Sequence, residues 1–173
     1  VAGHPLVAQV AAEVFEAGGN AVDAGVAAGL ASNVVQVDMA NFGGIAPILV
    51  RPAHSPVSWS IAGVGRWSRS VTLEETRHRY GGQLPLDGAP AIVPGAPAGW
   101  IRALERFGTM TFSEVSLPAR KLARAGFILD ANTARSIQLT SRGFQAWESS
   151  REVYQPGGRV LEEGDRLTQP RLA

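Results

Sequence analysis

Ala17-Gly18-Gly19-Asn20-Ala21-Val22-Asp23-Ala24 closes one helix and opens another within two residues. Gly18 or Gly19 supplies the left-handed conformation that ends a helix, which costs a residue without Cβ very little. Asn20 is a good N-cap, because its side-chain oxygen accepts from an N–H of the next turn that has no partner inside the helix. Asp23 then sets a carboxylate at the positive end of the new helix. From Ala21 to Ala31 Asp23 is the only polar residue, and Gly25 and Gly29 lie four apart. Such a helix has no polar face for water, so it is expected to pack closely and to be buried on nearly all sides.

Upstream, Leu6, Val7, Val10, Val14 and Phe15 have the spacing of one helical face over residues 5–17, with Pro5 suited to the first helical position. Downstream, the second helix is expected to run to about Ser32, with residues 33–36 leaving it in extended form. Residues 45–50 form a short apolar run bounded by Gly43-Gly44 and Arg51-Pro52, which reads as a buried strand, although Pro47 lacks the N–H an interior strand uses. Residues 57–62 alternate apolar and polar, so they read as a strand with one face buried, joined to the previous one as a hairpin. Residues 70–80 are polar and partly helical, residues 81–90 a turn region, and Ala91-Ile92-Val93 a brief strand.

Trp100, Ile101, Leu104 and Phe107 make a helical stripe ended by Gly108. Thr111 and Glu114 make a capping box for a further helix, interrupted at Pro118 and ended by Gly126. Asp130 is placed to cap a helix over 131–140. The tail from 148 to 169 reads as loop with a short strand at Arg159-Val160-Leu161. Helices, then a hairpin, then helices again point to a mixed α/β (α+β) architecture rather than alternating βαβ units.

With 173 residues, 45% of them hydrophobic and 18% charged, the chain can bury a core. A formal net charge of +1 with interspersed signs gives no footprint for nucleic acid or an anionic membrane. The absence of cysteine excludes disulfides, thiolate catalysis and cysteine metal sites. His4, His54 and His78 are far apart and none has HExxH spacing, which leaves a metal site without support. No stretch reaches the about 18 apolar residues a membrane span needs. The chain opens on Val1 without a methionine or a charged leader, which is what is expected where a signal segment is removed or not included. It stops where a helix is expected to start, and reads as a piece of a longer protein.

Four stretches stand in a recognisable order: Gly3-His4-Pro5-Leu6 with the 18–24 run; Phe42-Gly43-Gly44 before a strand; Val93-Pro94-Gly95 with Gly99 before a helix; and Leu117-Pro118-Ala119 with Leu122-Ala123-Arg124-Ala125-Gly126-Phe127. Gly164-Asp165, Leu167, Gln169-Pro170 and Leu172-Ala173 close the set. Together they span almost the whole chain, which resembles the N-terminal part of the large subunit of the γ-glutamyltransferase (γ-glutamyltranspeptidase) family. The resemblance implies part of an αββα sandwich of the N-terminal-nucleophile hydrolase type. Residues 1–173 would form a single domain segment, with strands 45–50 and 57–62 in one sheet and helices 5–32 packed on it. It further implies a precursor that cleaves itself before a threonine, whose hydroxyl becomes the nucleophile and whose freed amino group serves as base. That threonine, the oxyanion-hole donors and most substrate contacts would lie outside this chain. Implied partners are the remainder of the large subunit, a catalytic small subunit and a small γ-glutamyl substrate such as glutathione. No metal or organic cofactor is implied, and the family's setting is periplasmic or extracellular.

In the family, a large-subunit arginine on the loop after the hairpin clamps the substrate α-carboxylate. The matching stretch is Ile61-Ala62-Gly63-Val64-Gly65-Arg66-Trp67-Ser68-Arg69, which puts Arg66 on that position, with Arg69 as the substitute. A guanidinium suits the role because it donates two parallel bonds to a planar carboxylate. Read without the family, a loop arginine is a solvated surface charge. The family's acidic neighbours are replaced here by Val64 and Trp67. Asn41-Phe42-Gly43-Gly44-Ile45-Ala46-Pro47 also lacks two of the family's consecutive glycines, which would reshape the wall of the cleft. Two alternatives therefore stand beside the γ-glutamyl reading: a related acylase for β-lactam side chains or other amides, and a non-catalytic scaffold or degenerate homologue. Trp59, Trp67, Trp100 and Trp147 are expected to pack in the core or at its rim. Gly43-Gly44 and the 94–99 loop lack the lysine and spacing of phosphate cradles.

Overall fold

Helix α1 spans Pro5–Glu16, with Pro5 in its first turn and His4 as N-cap, whose Nδ1 accepts from the Leu6 N–H at 3.1 Å. It buries Val7, Val10 and Val14. Gly18 takes the left-handed conformation with φ 93°. Gly19 is needed for space, since a Cβ there would stand 2.7 Å from the Met110 Sδ and 2.8 Å from Val14 Cγ1. Helix α2 spans Ala21–Val35 and opens on a capping box between Asn20 and Asp23. It is longer than the sequence suggests. Ser32 and Asn33 donate back to the Ala28 and Gly29 carbonyls, and Val34 and Val35 are buried, so the core holds the last turn in place of an extended exit. Burial is less than all-round: Gly25 is exposed, and a Cβ there would meet no atom within 4 Å.

The structure, a computed structural model, describes residues 1–69, 71–83 and 91–173. Their remaining elements are strands β1 (Ile48–Val50) and β2 (Trp59–Ile61), helices α3 (Leu73–Tyr80), α4 (Ala96–Phe107) and α5 (Phe112–Ala125), strand β3 (Phe127–Ile128), helices α6 (Ala131–Phe144) and α7 (Glu148–Tyr154), a 3₁₀ turn at Pro156–Gly158, and strand β4 (Arg166–Leu167). The fold is thus α+β. Its contacts gather into two compact units, Val1–Asn41 with Phe107–Ala173, and Phe42–Arg106.

In the first unit α1 and α5 both pack on α2. The Thr111–Glu114 capping box forms. Pro118 does not interrupt α5, contrary to expectation. It removes a single bond, to the Glu114 carbonyl, while Val115, Ala119 and Ala123 anchor the helix on either side of it. Gly126 ends α5 with φ 75°. Asp130 caps α6, accepting from the Asn132 and Thr133 N–H groups, and α6 continues past Thr140 to Phe144, whose ring stacks on Tyr154 at 4.9 Å. The tail is more ordered than its composition suggests. No strand forms at 159–161. Instead Arg159 donates to both Asp165 oxygens at 2.8 and 3.0 Å, closing a turn through Gly164, and the strand falls at β4, antiparallel to β3. Gln169 then donates its side-chain amide to the Val34 carbonyl at 2.8 Å, tying the tail to α2.

In the second unit β1 and β2 pair antiparallel, with Ile48 opposite Ile61 and Val50 opposite Trp59. The hairpin is as expected, but the strands are shorter than the runs at 45–50 and 57–62. The ladder begins just after Pro47, which lacks the necessary N–H. The expected burial also fails: Val50 is buried while Leu49 is 75% exposed and Trp59 is exposed, its ring face covered by the Arg106 guanidinium 3.8 Å from the centroid. Residues 91–93 form no strand and contribute one bridging bond, described below. Helix α3, capped by Thr72, buries no residue. Of the expected turn at 81–90, residues 84–90 lie outside the described residues. Helix α4 begins before its aromatic stripe and buries Ala96, Gly99, Trp100, Ala103 and Leu104 but leaves Ile101 exposed. Of the four tryptophans only Trp100 is buried, beside Phe42 at 5.7 Å.

Candidate functional site

The position of Arg66 is set by backbone on two sides. On one, the Gly63 carbonyl accepts from the Ala46 N–H at 2.9 Å. On the other, the Arg66 carbonyl accepts from the Val93 N–H at 2.9 Å. The flanking segments are themselves joined, because the Gly44 carbonyl accepts from both the Gly95 and Ala96 N–H groups at 3.1 Å, using two donors that the first turn of α4 leaves unpaired. Residues 63–66 are therefore laid between residues 44–46 and 93–96.

Glycine makes this crossing possible. A Cβ on Gly65 would fall 1.5 Å from the Val93 carbonyl oxygen, and one on Gly63 would fall 2.0 Å from that of Ala46. A Cβ on Gly95 would come 2.4 Å from the Gly65 nitrogen and 2.6 Å from the Gly63 oxygen. Gly63 also needs its freedom of backbone, with φ 52°. In the sequence Gly43-Gly44, Gly63-Val64-Gly65 and Pro94-Gly95 stand in three separate stretches. The signal that they meet is their shared lack of side chains, which becomes legible only once the hairpin brings them together.

The Arg66 side chain is exposed, and among the described residues no hydrogen bond or ion pair holds its guanidinium. Val64 and Trp67 beside it are 53% and 54% exposed. Arg69 is also exposed but lies beyond the crossing, in a turn closed by the Val71 N–H on the Ser68 carbonyl at 3.1 Å. The loop thus offers two cations with apolar neighbours and no carboxylate between residues 61 and 69. Chemically this arrangement can receive an anion, with a planar carboxylate the best match to a guanidinium. Among the described residues no group of three His, Asp or Glu side chains is placed to hold a metal ion, and no helix is long and apolar enough to cross a membrane.

Comparison with known proteins gives this geometry its setting. Residues 7–173 match the family model for gamma-glutamyltranspeptidase. The glutathione hydrolase proenzyme of Bacillus subtilis is 31% identical over 175 residues, 98% of this chain and 30% of that protein. The acylase ACY 1 proenzyme of Pseudomonas sp. (strain SE83) is 32% identical over 178 residues, covering 98% of this chain and 32% of that protein. The chain therefore spans about a third of the length of these relatives. Among solved structures, Helicobacter pylori gamma-glutamyltranspeptidase superposes with a TM-score of 0.91 at 28% identity, covering 99% of this chain and 50% of that one. Cephalosporin acylase from Bacillus halodurans superposes with a TM-score of 0.88 at 26% identity, covering 96% of this chain and 32% of that one. The fold is that of the N-terminal-nucleophile hydrolases to which those structures belong. With a match along nearly its entire length, the chain belongs to the gamma-glutamyltranspeptidase family.

Proposed function

We propose that the full-length protein containing this chain is a γ-glutamyl hydrolase or transferase. It cleaves γ-glutamyl amides such as glutathione through a γ-glutamyl-enzyme formed on a threonine outside these residues. Arg66 grips the substrate α-carboxylate. The observation that carries the reading is the fixed backbone of residues 63–66: a clamp must be held before substrate arrives, and the Arg66 carbonyl is held by the Val93 N–H and the Gly63 carbonyl by the Ala46 N–H, while the Arg66 guanidinium remains available. Arg69 lacks that support, which favours Arg66 over it. The catalytic small subunit and the rest of the large subunit are the partners this chemistry requires, with no metal or organic cofactor.

A clamp built this way contributes to binding more than to the chemical step. Arg66→Ala in the full-length protein is expected to raise KM for γ-glutamyl anilides strongly, by an amount equivalent to about 2–5 kcal/mol for loss of one partner of a buried charge-assisted pair. An unchanged KM would overturn the assignment.

A second reading, an acylase for β-lactam side chains or other amides, is favoured by the exposed Val64 and Trp67 in place of acidic neighbours. Parallel assays with a γ-glutamyl anilide and an acylated β-lactam separate the two: faster turnover of the second would make this protein an acylase. Lack of turnover of either by the self-cleaved protein would make it the scaffold.

A further inference from the structure

We infer that Gly65 is a positioning residue for Arg66, with Val93 as the stop it rests against; this rests on the reading of Arg66 as the carboxylate clamp and deepens it. An arginine side chain reaches its target through a long, flexible stem, and the flexibility is useful only if the root of the stem is fixed. Two contacts fix it here. The Val93 N–H holds the Arg66 carbonyl at 2.9 Å, and the Val93 carbonyl lies where the Gly65 side chain would begin, 1.5 Å from an ideal Cβ. Any side chain at position 65 must therefore push the peptide that carries Arg66 off residue 93. The displacement is passed directly to the root of the clamp.

Gly99 gives a milder test of the same packing. It sits on α4, and a Cβ there would stand 3.1 Å from the Gly63 Cα and 3.4 Å from the Ala46 oxygen, tight enough to shift the crossing by a few tenths of an ångström without breaking it. Gly65→Ala is thus the severe substitution and Gly99→Ala the mild one. Neither alters a group able to contact substrate.

The experiment compares two substrates on the full-length, self-cleaved protein: L-γ-glutamyl para-nitroanilide and its counterpart without the α-carboxylate, γ-aminobutyryl para-nitroanilide. The readout is the ratio of their kcat/KM values, which is independent of how much of each preparation is folded. Gly65→Ala is expected to lower this ratio about tenfold or more, through KM of the carboxylate substrate, and Gly99→Ala about two- to threefold, as expected of imperfectly placed charge-assisted bonds. Arg66→Ala sets the floor. If Arg66→Ala collapses the ratio while both glycine variants keep it, the positioning role is overturned and the clamp stands. If Arg66→Ala leaves the ratio unchanged, the clamp itself fails and the positioning role falls with it. Should Gly65→Ala yield no active enzyme, Gly99→Ala decides: a lowered ratio supports the inference and an unchanged one overturns it.

Discussion

Asp23 and Thr109, 86 positions apart, are joined three ways: the Thr109 hydroxyl donates to Asp23 Oδ2 at 2.6 Å, and the Thr109 N–H is shared between Oδ1 and Oδ2 at 3.0 and 3.1 Å. The Met110 N–H adds a bond to Oδ1 at 3.1 Å, and the Asn20 N–H one to Oδ2 at 2.8 Å. Asp23 has no exposed surface. A buried carboxylate that faces neutral donors of this number is the hinge pin between the start of α2 and the turn before α5.

Removing that pin is expected to be costly. Asp23→Ala leaves buried N–H groups without an acceptor and should destabilise the fold by about 3–5 kcal/mol, comparable to deleting one partner of a buried ion pair. Thr109→Val keeps the N–H bonds and loses the hydroxyl, for about 1.5–3 kcal/mol. Urea unfolding of both variants checks the order. A Thr109→Val loss as large as that of Asp23→Ala would show that packing, not the carboxylate, dominates.

The same site predicts an acid-sensitive fold. Burial would raise the Asp23 carboxyl, but the Thr109 hydroxyl and the N–H groups of Asn20, Met110 and Thr109 outweigh it and hold the value below the ordinary 3.8. Asp165, with Arg159 and the Glu162 N–H as donors, and Asp130, with the N–H and hydroxyl of Thr133, are lowered as well. For a carboxyl lowered by folding, the stabilisation is complete above the unfolded value and disappears as pH falls through the folded one. The urea midpoint should therefore fall on acidification from about pH 5 to about pH 2. In Asp23→Asn it should start lower and fall less. Parallel curves for the two proteins would mean that Asp23 titrates alike in both states.

At the proposed clamp, Arg66→Lys should recover only part of the KM lost in Arg66→Ala, because an ammonium is a point charge and cannot donate two parallel bonds. Arg69→Ala, outside the glycine crossing, should change KM little. Equal, small effects at both positions would return Arg66 to the status of a solvated charge.

The 173-residue chain by itself is expected to show no amidase or transpeptidase activity, since the proposed chemistry runs on a threonine proposed to lie outside these residues. Purified chain with a chromogenic γ-glutamyl amide should give the uncatalysed rate. Turnover surviving a second purification would place the nucleophile within these residues.

The isolated chain should also associate. Among the described residues strands β1 and β2 pair only with each other, and Leu49, Val57 and Val93 are more than half exposed. Binding of a hydrophobic dye and light scattering test this, and Leu49→Lys should reduce both. A monodisperse monomer without dye binding would argue that the residues are self-contained.

Local signals were legible in the sequence where one or two residues decide the outcome. Asn20 with Asp23, Thr111 with Glu114, Asp130 and Gly126 each fix a helix end through their own hydrogen bonds or φ, and each does so as read. Reading failed where a distant contact decides. The end of α2 is held by burial of Val34 and Val35, and α6 extends to a ring stack with Tyr154. Strand β4 is placed by its pairing with β3, not by the apolar run at 159–161. Arg66 was legible only through the family resemblance. The glycines that hold its peptide belong to three separate stretches, and no local pattern announces that they touch.

The tie between Gln169 and Val34 spans 135 positions, and it bears on the order in which the molecule can come into being. Residues 42–106 form a continuous unit whose internal bonds are all available once that stretch has left the ribosome. The other unit is discontinuous: its opening helices emerge first, yet Asp23 stays without Thr109 and Met110, and the Val34 carbonyl without Gln169, until the far end has been made. Helix α2 can pack on α1 during that interval, but the side that α5 covers stays bare until α5 follows. A product truncated before α5 would keep that apolar side of α2 uncovered.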